Sequence, residues 1–109
     1  MNIFEKIVAG KAQCNKVLEN DDYLAFYDIA PKARVHILAI PKVCVKDLQS
    51  ASPDVLKGLC EFTKEVAQTV GLDKTGYRVL TNIGEDANQE VPYLHFHILG
   101  GENLKALGF

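Results

Sequence analysis

The chain lacks any long apolar run. Its longest stretch without a formally charged residue is Val91 to Gly101, eleven residues. A membrane helix needs about 20 mostly apolar residues, so we expect no membrane span. Glu5 and Lys6 stand close to the start and no apolar segment follows them, so no signal peptide is expected either.

An excess of basic residues is also missing. Twelve Lys and Arg against 14 Asp and Glu give a formal net charge of −2, and the sequence pI is about 5.9. A nucleic-acid-binding module usually carries a basic stripe, so we expect no nucleic-acid partner. A small nucleotide is not excluded, because a few backbone N–H groups and one or two side chains can bind a phosphate.

Paired cysteines are absent as well. The three cysteines, Cys14, Cys44 and Cys60, stand far apart without a C-x-x-C motif. Their odd number rules out a fully paired intramolecular disulfide framework, and their spacing offers no zinc knuckle. We predict reduced thiols that act as small hydrophobes in a cytoplasmic protein.

The composition that remains is that of one globular domain. Apolar residues make up 48% and charged residues 24% of the 109 residues, which is ordinary for a folded protein. The length suits a single domain over residues 1–109 with its own core.

Two helices and five strands are predicted along the chain. Asn2 and Glu5 form a capping box for a short first helix, and Gly10 ends it. Ser52 and Pro53 begin a long helix that ends at Gly71. Its predicted core stripe is Leu56, Leu59, Cys60, Thr63, Val66, Ala67 and Val70. The predicted strands are Lys16 to Glu19, Tyr23 to Ile29, Arg34 to Ile40, Tyr77 to Ile83 and Tyr93 to Leu99.

The order of these elements predicts the fold class. Hairpin-like connections favour antiparallel pairing of the strands. We therefore predict an α+β domain: a five-stranded antiparallel sheet with the long helix on one face and a short N-terminal helix. Residues 101–109 are too few to form more than a tail or a capping turn.

The last predicted strand carries the residues with chemical potential. Alternate residues of a strand face the same side, so Tyr93, His95 and His97 project one way. Same-face neighbours stand roughly 6.5–7 Å apart, which lets two imidazoles contact different oxygens of one phosphate. The third histidine, His36, lies on another predicted strand and joins them if that strand faces the same way.

Two chemistries use such a set of imidazoles. A neutral imidazole is a good nucleophile near neutral pH, and its attack on phosphorus gives a phospho-imidazole that water hydrolyses. Alternatively, His36, His95 and His97 form the ligand set of a three-His zinc site. The metal interpretation is the weaker one, because no Asp or Glu lies within the strand to orient the rings.

The motif in this strand resembles the signature of the histidine triad (HIT) family of nucleotide-binding hydrolases and transferases, in its small phosphoramidase-like branch. That signature is His-φ-His-φ-His-φ-φ, with φ apolar, and here Tyr93 replaces the first His. Segments similar to the family follow one another along the whole chain: Ile3-Phe4, residues 24–31, residues 36–42, Gly76-Tyr77-Arg78, Thr81-Asn82-Ile83-Gly84 and Gly100-Gly101.

The resemblance implies a role for each matching residue. His95 matches the nucleophile, His97 the His that contacts the phosphate, and His36 a supporting His from the neighbouring strand. Asp28 stands where the family binds the ribose hydroxyls. The implied base slot consists of Ile3, Phe4, Ile7, Phe26 and Ile29. The implied lining of the phosphate and leaving group consists of Asn82, Asn88, Gln89 and Glu90, with Tyr93 beside it.

Two departures from the family bear on activity. Tyr93 has an ordinary pKa near 10, so it takes no part in a proton relay near pH 7, although its hydroxyl can still form hydrogen bonds. Glu90 occupies a place where some relatives carry a small hydroxyl residue, so a carboxylate there alters the preference for the leaving group. The structural zinc site of some relatives is not expected, because its N-terminal Cys pair is missing.

We therefore predict a nucleotide hydrolase without a cofactor. It would cleave a P–N or related bond at the α-phosphate of purine nucleoside monophosphate derivatives, through a nucleotidyl-His95 intermediate that water resolves to the monophosphate, such as AMP. The alternatives are a nucleotide-binding module with little turnover and the metallohydrolase. The resemblance and the unprotected strand also predict a homodimer, built partly through the strand Gly76 to Ile83 and the long helix.

Overall fold

The computed structural model describes residues 1–108; Phe109, the end of the predicted tail, lies outside the described residues. Helix α1 spans Ile3–Val8 and helix α2 spans Pro53–Thr69. The strands are β1 (Lys16–Glu19), β2 (Tyr23–Tyr27), β3 (Val35–Pro41), β4 (Arg78–Leu80) and β5 (Phe96–Gly100). Short 3-10 turns occupy Leu72–Lys74 and Lys105–Leu107.

The five strands form one antiparallel sheet in the order β1-β2-β3-β5-β4. The predicted α+β class, with one long and one short helix, is confirmed. Because β5 lies between β3 and β4, the strand that carries His97, with His95 directly before it, is central. Strand β4 is left at the edge.

Each face of the sheet has its own apolar cluster. On one face, Leu59, Phe62 and Val66 of α2 pack on Ile37 and other inward residues of the central strands. On the opposite face, Phe4 of α1 packs against Phe26 and Tyr93, with ring centroids 5.7 and 5.9 Å apart. Since the short helix covers little of this second face, part of it stays open.

The two helix starts agree with the sequence. The Asn2 side chain accepts a hydrogen bond from the Glu5 N–H, and the Glu5 side chain accepts one from the Asn2 N–H, so the predicted capping box is complete. The Ser52 hydroxyl accepts from the Val55 N–H, and Pro53 is the first helical residue. Both caps satisfy backbone donors that a helix start leaves unpaired.

The predicted core stripe of α2 is wrong at one position. Cys60 is exposed, and Phe62, which the stripe omits, is buried and stacks on Tyr23 with centroids 5.6 Å apart. Cys44 is also exposed and Cys14 is half-buried, so only Cys14 acts as a packed apolar residue. The buried face of α2 is centred on the larger aromatic side chain, which turns Cys60 toward solvent.

Three predicted strands are longer than the observed ones. β2 ends at Tyr27, because the Asp28 side chain accepts from the Ala30 N–H and begins a turn. β4 covers Arg78–Leu80 instead of Tyr77 to Ile83. β5 begins at Phe96 instead of Tyr93, because the Leu94 N–H donates to the carbonyl of Val45, outside the ladder. The predicted alternation nevertheless holds, since Leu94, Phe96 and Ile98 all lie in the cluster under α2.

Candidate active site

A cavity of about 610 Å³ opens on the face of the sheet that carries α1. Side chains of α1 and β2 form its apolar wall, and the Phe4 ring in that wall lies 5.1 Å from the His95 ring. The rest is lined by His97 of β5, His95 directly before it and His36 of β3, together with the segment after β4. The cavity thus joins an apolar slot to a cluster of imidazoles.

All three histidines meet in this cavity. The rings of His95 and His97 have centroids 5.0 Å apart, and those of His36 and His97 lie 5.2 Å apart. His36 stands opposite Leu99 in the β3–β5 ladder, so His97 is its diagonal neighbour on the same face. The antiparallel register therefore brings His36 and His97 together, and His95 joins them from the segment directly before β5.

Hydrogen bonds fix the proton positions of His36 and His97. The Lys32 N–H donates to Nδ1 of His36 across 3.0 Å, so the neutral ring carries its proton on Nε2. That Nε2 lies 2.9 Å from Nδ1 of His97 and donates to it. His97 then carries its own proton on Nε2, where it serves as a donor for a ligand.

His95 has the opposite arrangement. Its Nδ1 lies 2.7 Å from the carbonyl oxygen of Tyr93, and a carbonyl only accepts, so the proton is on Nδ1. Nε2 of His95 is left with a lone pair, which is the form that a nucleophile requires. The carbonyl of His95 itself accepts from the Thr81 hydroxyl at 2.8 Å. Strand periodicity gave no signal for Thr81, which nonetheless holds the backbone at His95.

Burial keeps the histidine pair neutral. Burial lowers the pKa of His97 to about 4, with a further lowering from His95 and His36, while Asp28 acts in the raising direction. Burial also lowers the pKa of His36, against an opposing effect of Asp28. Near neutral pH both rings are therefore uncharged, which agrees with the proton positions assigned from the hydrogen bonds.

Most of the predicted site residues line this one cavity. Those brought together are Ile3, Phe4, Ile7, Phe26, Asp28, Ile29, His36, Asn82, Asn88, Glu90, His95 and His97. Gln13, Cys14 and Lys32 also line it and were not predicted. Gln89 and Tyr93 do not line it, and each has a different place in the structure.

Gln89 holds the loop after β4 together. Its Nε2 donates to the carbonyls of Lys46 and Val91, and its Oε1 accepts from the Gly84 N–H. The N–H groups of Asn88 and Gln89 donate to the carbonyls of Glu85 and Gly84. These two backbone donors are thus used within the loop, which leaves the N–H of Glu90 as the remaining backbone donor of positions 88–90.

The Tyr93 side chain points away from the imidazoles. Its buried hydroxyl donates toward the carbonyls of Pro41 and Lys42, at 2.6 and 3.1 Å, and burial raises its pKa to about 12. Tyr93 contributes to the cavity through its carbonyl, which holds His95. That contact is made by the backbone, so the orientation of His95 does not depend on which side chain stands at position 93.

The three-His metal site is not what the structure assembles. Among residues 1–108, the group with ligand atoms close enough for a metal ion is Asp28, His36 and His97, all within 4.8 Å, and it omits His95. His36 does not fit such a site, because its Nδ1 already accepts from the Lys32 N–H and its Nε2 therefore carries a proton. Within the described residues, no helix combines the length and the apolar character needed to cross a bilayer.

Comparison with known proteins gives consistent matches over nearly the whole chain. A family model described as the HIT domain matches residues 9–104. An uncharacterized HIT-like protein of Helicobacter pylori is 48% identical over 102 residues, covering 94% of this chain and 98% of the relative. A HIT-like protein of Rickettsia prowazekii is 41% identical over 110 residues, covering 97% and 92%.

Solved structures of similar chains share the fold. One HIT-like protein superposes with a TM-score of 0.91 at 48% identity, covering 94% of this chain and 100% of the other. A HIT family hydrolase from Legionella pneumophila gives 0.88 at 35% identity, covering 94% of each chain. A histidine triad nucleotide-binding protein from Candida albicans gives 0.83 at 31% identity, covering 97% and 89%.

Proposed function

The chain belongs to the HIT family, and on that premise we propose a hydrolase of purine nucleoside monophosphate derivatives. It cleaves a P–N or related bond at the α-phosphate through a covalent nucleotidyl-His95 intermediate. The observation that carries this proposal is the lone pair held on Nε2 of His95, in a cavity beside an Nε2–H of His97. Relatives described as a HIT family hydrolase and as a nucleotide-binding protein support the general activity.

The first step forms one bond and breaks one. Nε2 of His95 attacks the phosphorus, and the bond from phosphorus to the leaving nitrogen breaks. The departing amine takes up a proton from solvent. The imidazole ring becomes positively charged, and its Nδ1–H, donated to the Tyr93 carbonyl, stabilises that charge at 2.7 Å.

The second step restores the enzyme. Water attacks the phosphorus of the nucleotidyl-histidine and loses a proton to solvent. The bond from phosphorus to Nε2 of His95 breaks, which releases the nucleoside monophosphate and returns the electron pair to Nε2. The Nε2–H of His97 donates to a phosphoryl oxygen in both steps, since His36 occupies the other nitrogen of His97. A fixed donor of this kind stabilises the charge of the transition state without reorganisation.

The rest of the cavity suits the nucleoside. The carboxylate of Asp28 can accept two sugar hydroxyls, because only its Oδ1 is engaged by a backbone N–H. The purine fits among the apolar side chains of α1, Phe26 and Ile29. Burial of the base against such side chains contributes to the affinity for the nucleoside, but it does not favour one leaving group on the phosphate over another.

We further propose a homodimer in the cytoplasm. The edge strand β4 exposes Val79 and Leu80, and Ile83 is exposed three residues beyond its end. An edge with apolar residues and unpaired backbone groups favours association with a second copy. Three free thiols, two of them exposed, suit a reducing compartment.

Hydrolysis of adenosine 5′-phosphoramidate tests the activity. His95→Ala should lose turnover by at least about 10³-fold, because it removes the nucleophile. His95 is buried against Phe4, so the alanine variant also leaves a cavity that can destabilise the fold. His95→Asn fills more of that cavity and is therefore the second variant. Both variants should still bind AMP. Turnover near the wild-type rate in either variant removes His95 as the nucleophile, and wild-type binding without product release indicates the binding module.

A further inference from the structure

Asp28 contacts both the sugar side of the cavity and the histidine pair. Its Oδ1 accepts from the Ala30 N–H at 2.8 Å, and its Oδ2 lies 3.4 Å from Nε2 of His36. The side chain of His36 is 3% exposed and that of Asp28 is 18% exposed. Both side chains line the cavity, and the carboxylate is the more exposed of the two.

One proton of His36 faces two acceptors. Because Nδ1 of His36 accepts from Lys32, its single ring proton is on Nε2. That proton points toward Nδ1 of His97 at 2.9 Å, while the charged Oδ2 of Asp28 competes for it from 3.4 Å. Any group that engages Oδ2 weakens this competition.

We propose that Asp28 couples the sugar to the phosphate-binding histidine. The inference rests on the proposed function, in which the sugar hydroxyls donate to Asp28. When they do so, they draw charge density from Oδ2, and the proton of His36 is directed to His97 alone. A stronger bond into Nδ1 makes the Nε2–H of His97 a better and better oriented donor toward the phosphate.

Asp28 is thus a positioning residue as well as a sugar ligand. A nucleotide with both hydroxyls prepares His97 for the transferring phosphoryl group. A nucleotide without the hydroxyls still enters the apolar slot, but the His36 proton stays shared between Nδ1 of His97 and Oδ2 of Asp28. The loss then occurs in kcat and not only in KM, which a simple anchoring role for Asp28 does not predict.

Nitrogen NMR of the imidazoles tests this without a phosphate present. Adenosine should shift the ring nitrogens of His36 and His97, whereas 2′,3′-dideoxyadenosine should bind and leave them unshifted. In Asp28→Asn, adenosine should no longer shift them. The amide oxygen of Asn can still accept from the Ala30 N–H, so the turn is kept. In Lys32→Gln, a control that changes a charge near the pair, the difference between the two nucleosides should persist.

The kinetic arm uses the phosphoramidates of the same two nucleosides. We expect kcat to fall about fivefold without the hydroxyls, which is the usual effect of one hydrogen bond. Asp28→Asn should remove that difference. Equal kcat values in the wild type, or equal imidazole shifts from both nucleosides, overturn the coupling and leave the proposed hydrolysis standing. If neither nucleoside binds and neither substrate is hydrolysed, the proposed function fails together with the coupling.

Discussion

At the scale of residues, backbone contacts decide which imidazole nitrogen carries the proton and which has a free lone pair. A carbonyl holds Nδ1 of His95, and an N–H holds Nδ1 of His36, so identical side chains end in opposite proton states. The sequence predicted the three histidines and most of the lining residues. It could not predict that the Gln89 amide donates a hydrogen bond to the carbonyl of Lys46 and the Tyr93 hydroxyl one to the carbonyl of Pro41. Those partners lie more than 40 positions away in the sequence.

Glu90 should set the charge preference for the leaving group. Its exposed side chain lines the cavity, and within residues 1–108 no ion pair neutralises it. Glu90→Gln should therefore raise kcat/KM for phosphoramidates with an anionic leaving group, relative to those with a cationic one, by about fivefold. This corresponds to ~1 kcal/mol, the size of a Coulomb interaction at 4 Å in water. The measurement is kcat/KM for a matched series of cationic, neutral and anionic amines.

Glu85→Gln is the matched control for Glu90. Glu85 lies in the same loop and carries the same charge, but it does not line the cavity. Its substitution should leave the preference unchanged. An equal effect of both substitutions would assign the preference to the general charge of the loop, and no effect of Glu90→Gln would remove Glu90 as its source.

At the scale of elements, local signals predicted the helices well and the strand ends poorly. Asn2, Glu5, Ser52 and Pro53 are short-range signals, and both helix starts lie where they indicate. Strand ends depend on partners elsewhere in the chain. The Leu94 N–H turns to Val45, outside the ladder, and shortens β5, which no periodicity in residues 93–99 could indicate.

Gly58 in the middle of α2 should resist substitution. Gly→Ala in a helix ordinarily stabilises by about 1 kcal/mol. A Cβ at Gly58 would instead fall on the hydroxyl and ring of Tyr23, whose hydroxyl donates to the Val55 carbonyl. We expect Gly58→Ala to lower the free energy of unfolding by about 1–3 kcal/mol, as overpacking does. Urea unfolding measures it, with the exposed neighbour Lys57→Ala as control; a stabilised Gly58→Ala would contradict the described packing.

At the scale of the whole molecule, the open face of the sheet creates the cavity, and the open edge is where the proposed dimer interface would form. The cavity exists because α1 is short, whereas α2 covers the other face. Val79 stands opposite Ile98, which lies in the cluster under α2, so Val79 faces the α2 side of the sheet. An interface made by β4 and α2 would therefore bury Val79.

The predicted homodimer can be tested through Val79, which is 41% exposed. Val79→Lys places a charge in the proposed interface and should shift the protein toward the chain mass of 12.0 kDa. Val43→Lys is the matched control, since Val43 is 56% exposed in the loop after β3. Sedimentation equilibrium at micromolar concentration should give twice the chain mass for the wild type and Val43→Lys. A wild-type mass near 12.0 kDa at every concentration would exclude the dimer.

The central claim is that Nε2 of His95 becomes covalently bonded to the nucleotide. Its most direct test is rapid acid-free quenching of a single turnover with adenosine 5′-phosphoramidate, followed by mass spectrometry of the intact chain and its peptides. We predict an adenylyl group on His95 that forms and decays at rates consistent with turnover, and that is absent in His95→Asn. Turnover that proceeds with the adduct on another residue, or that persists in His95→Asn, would contradict the account.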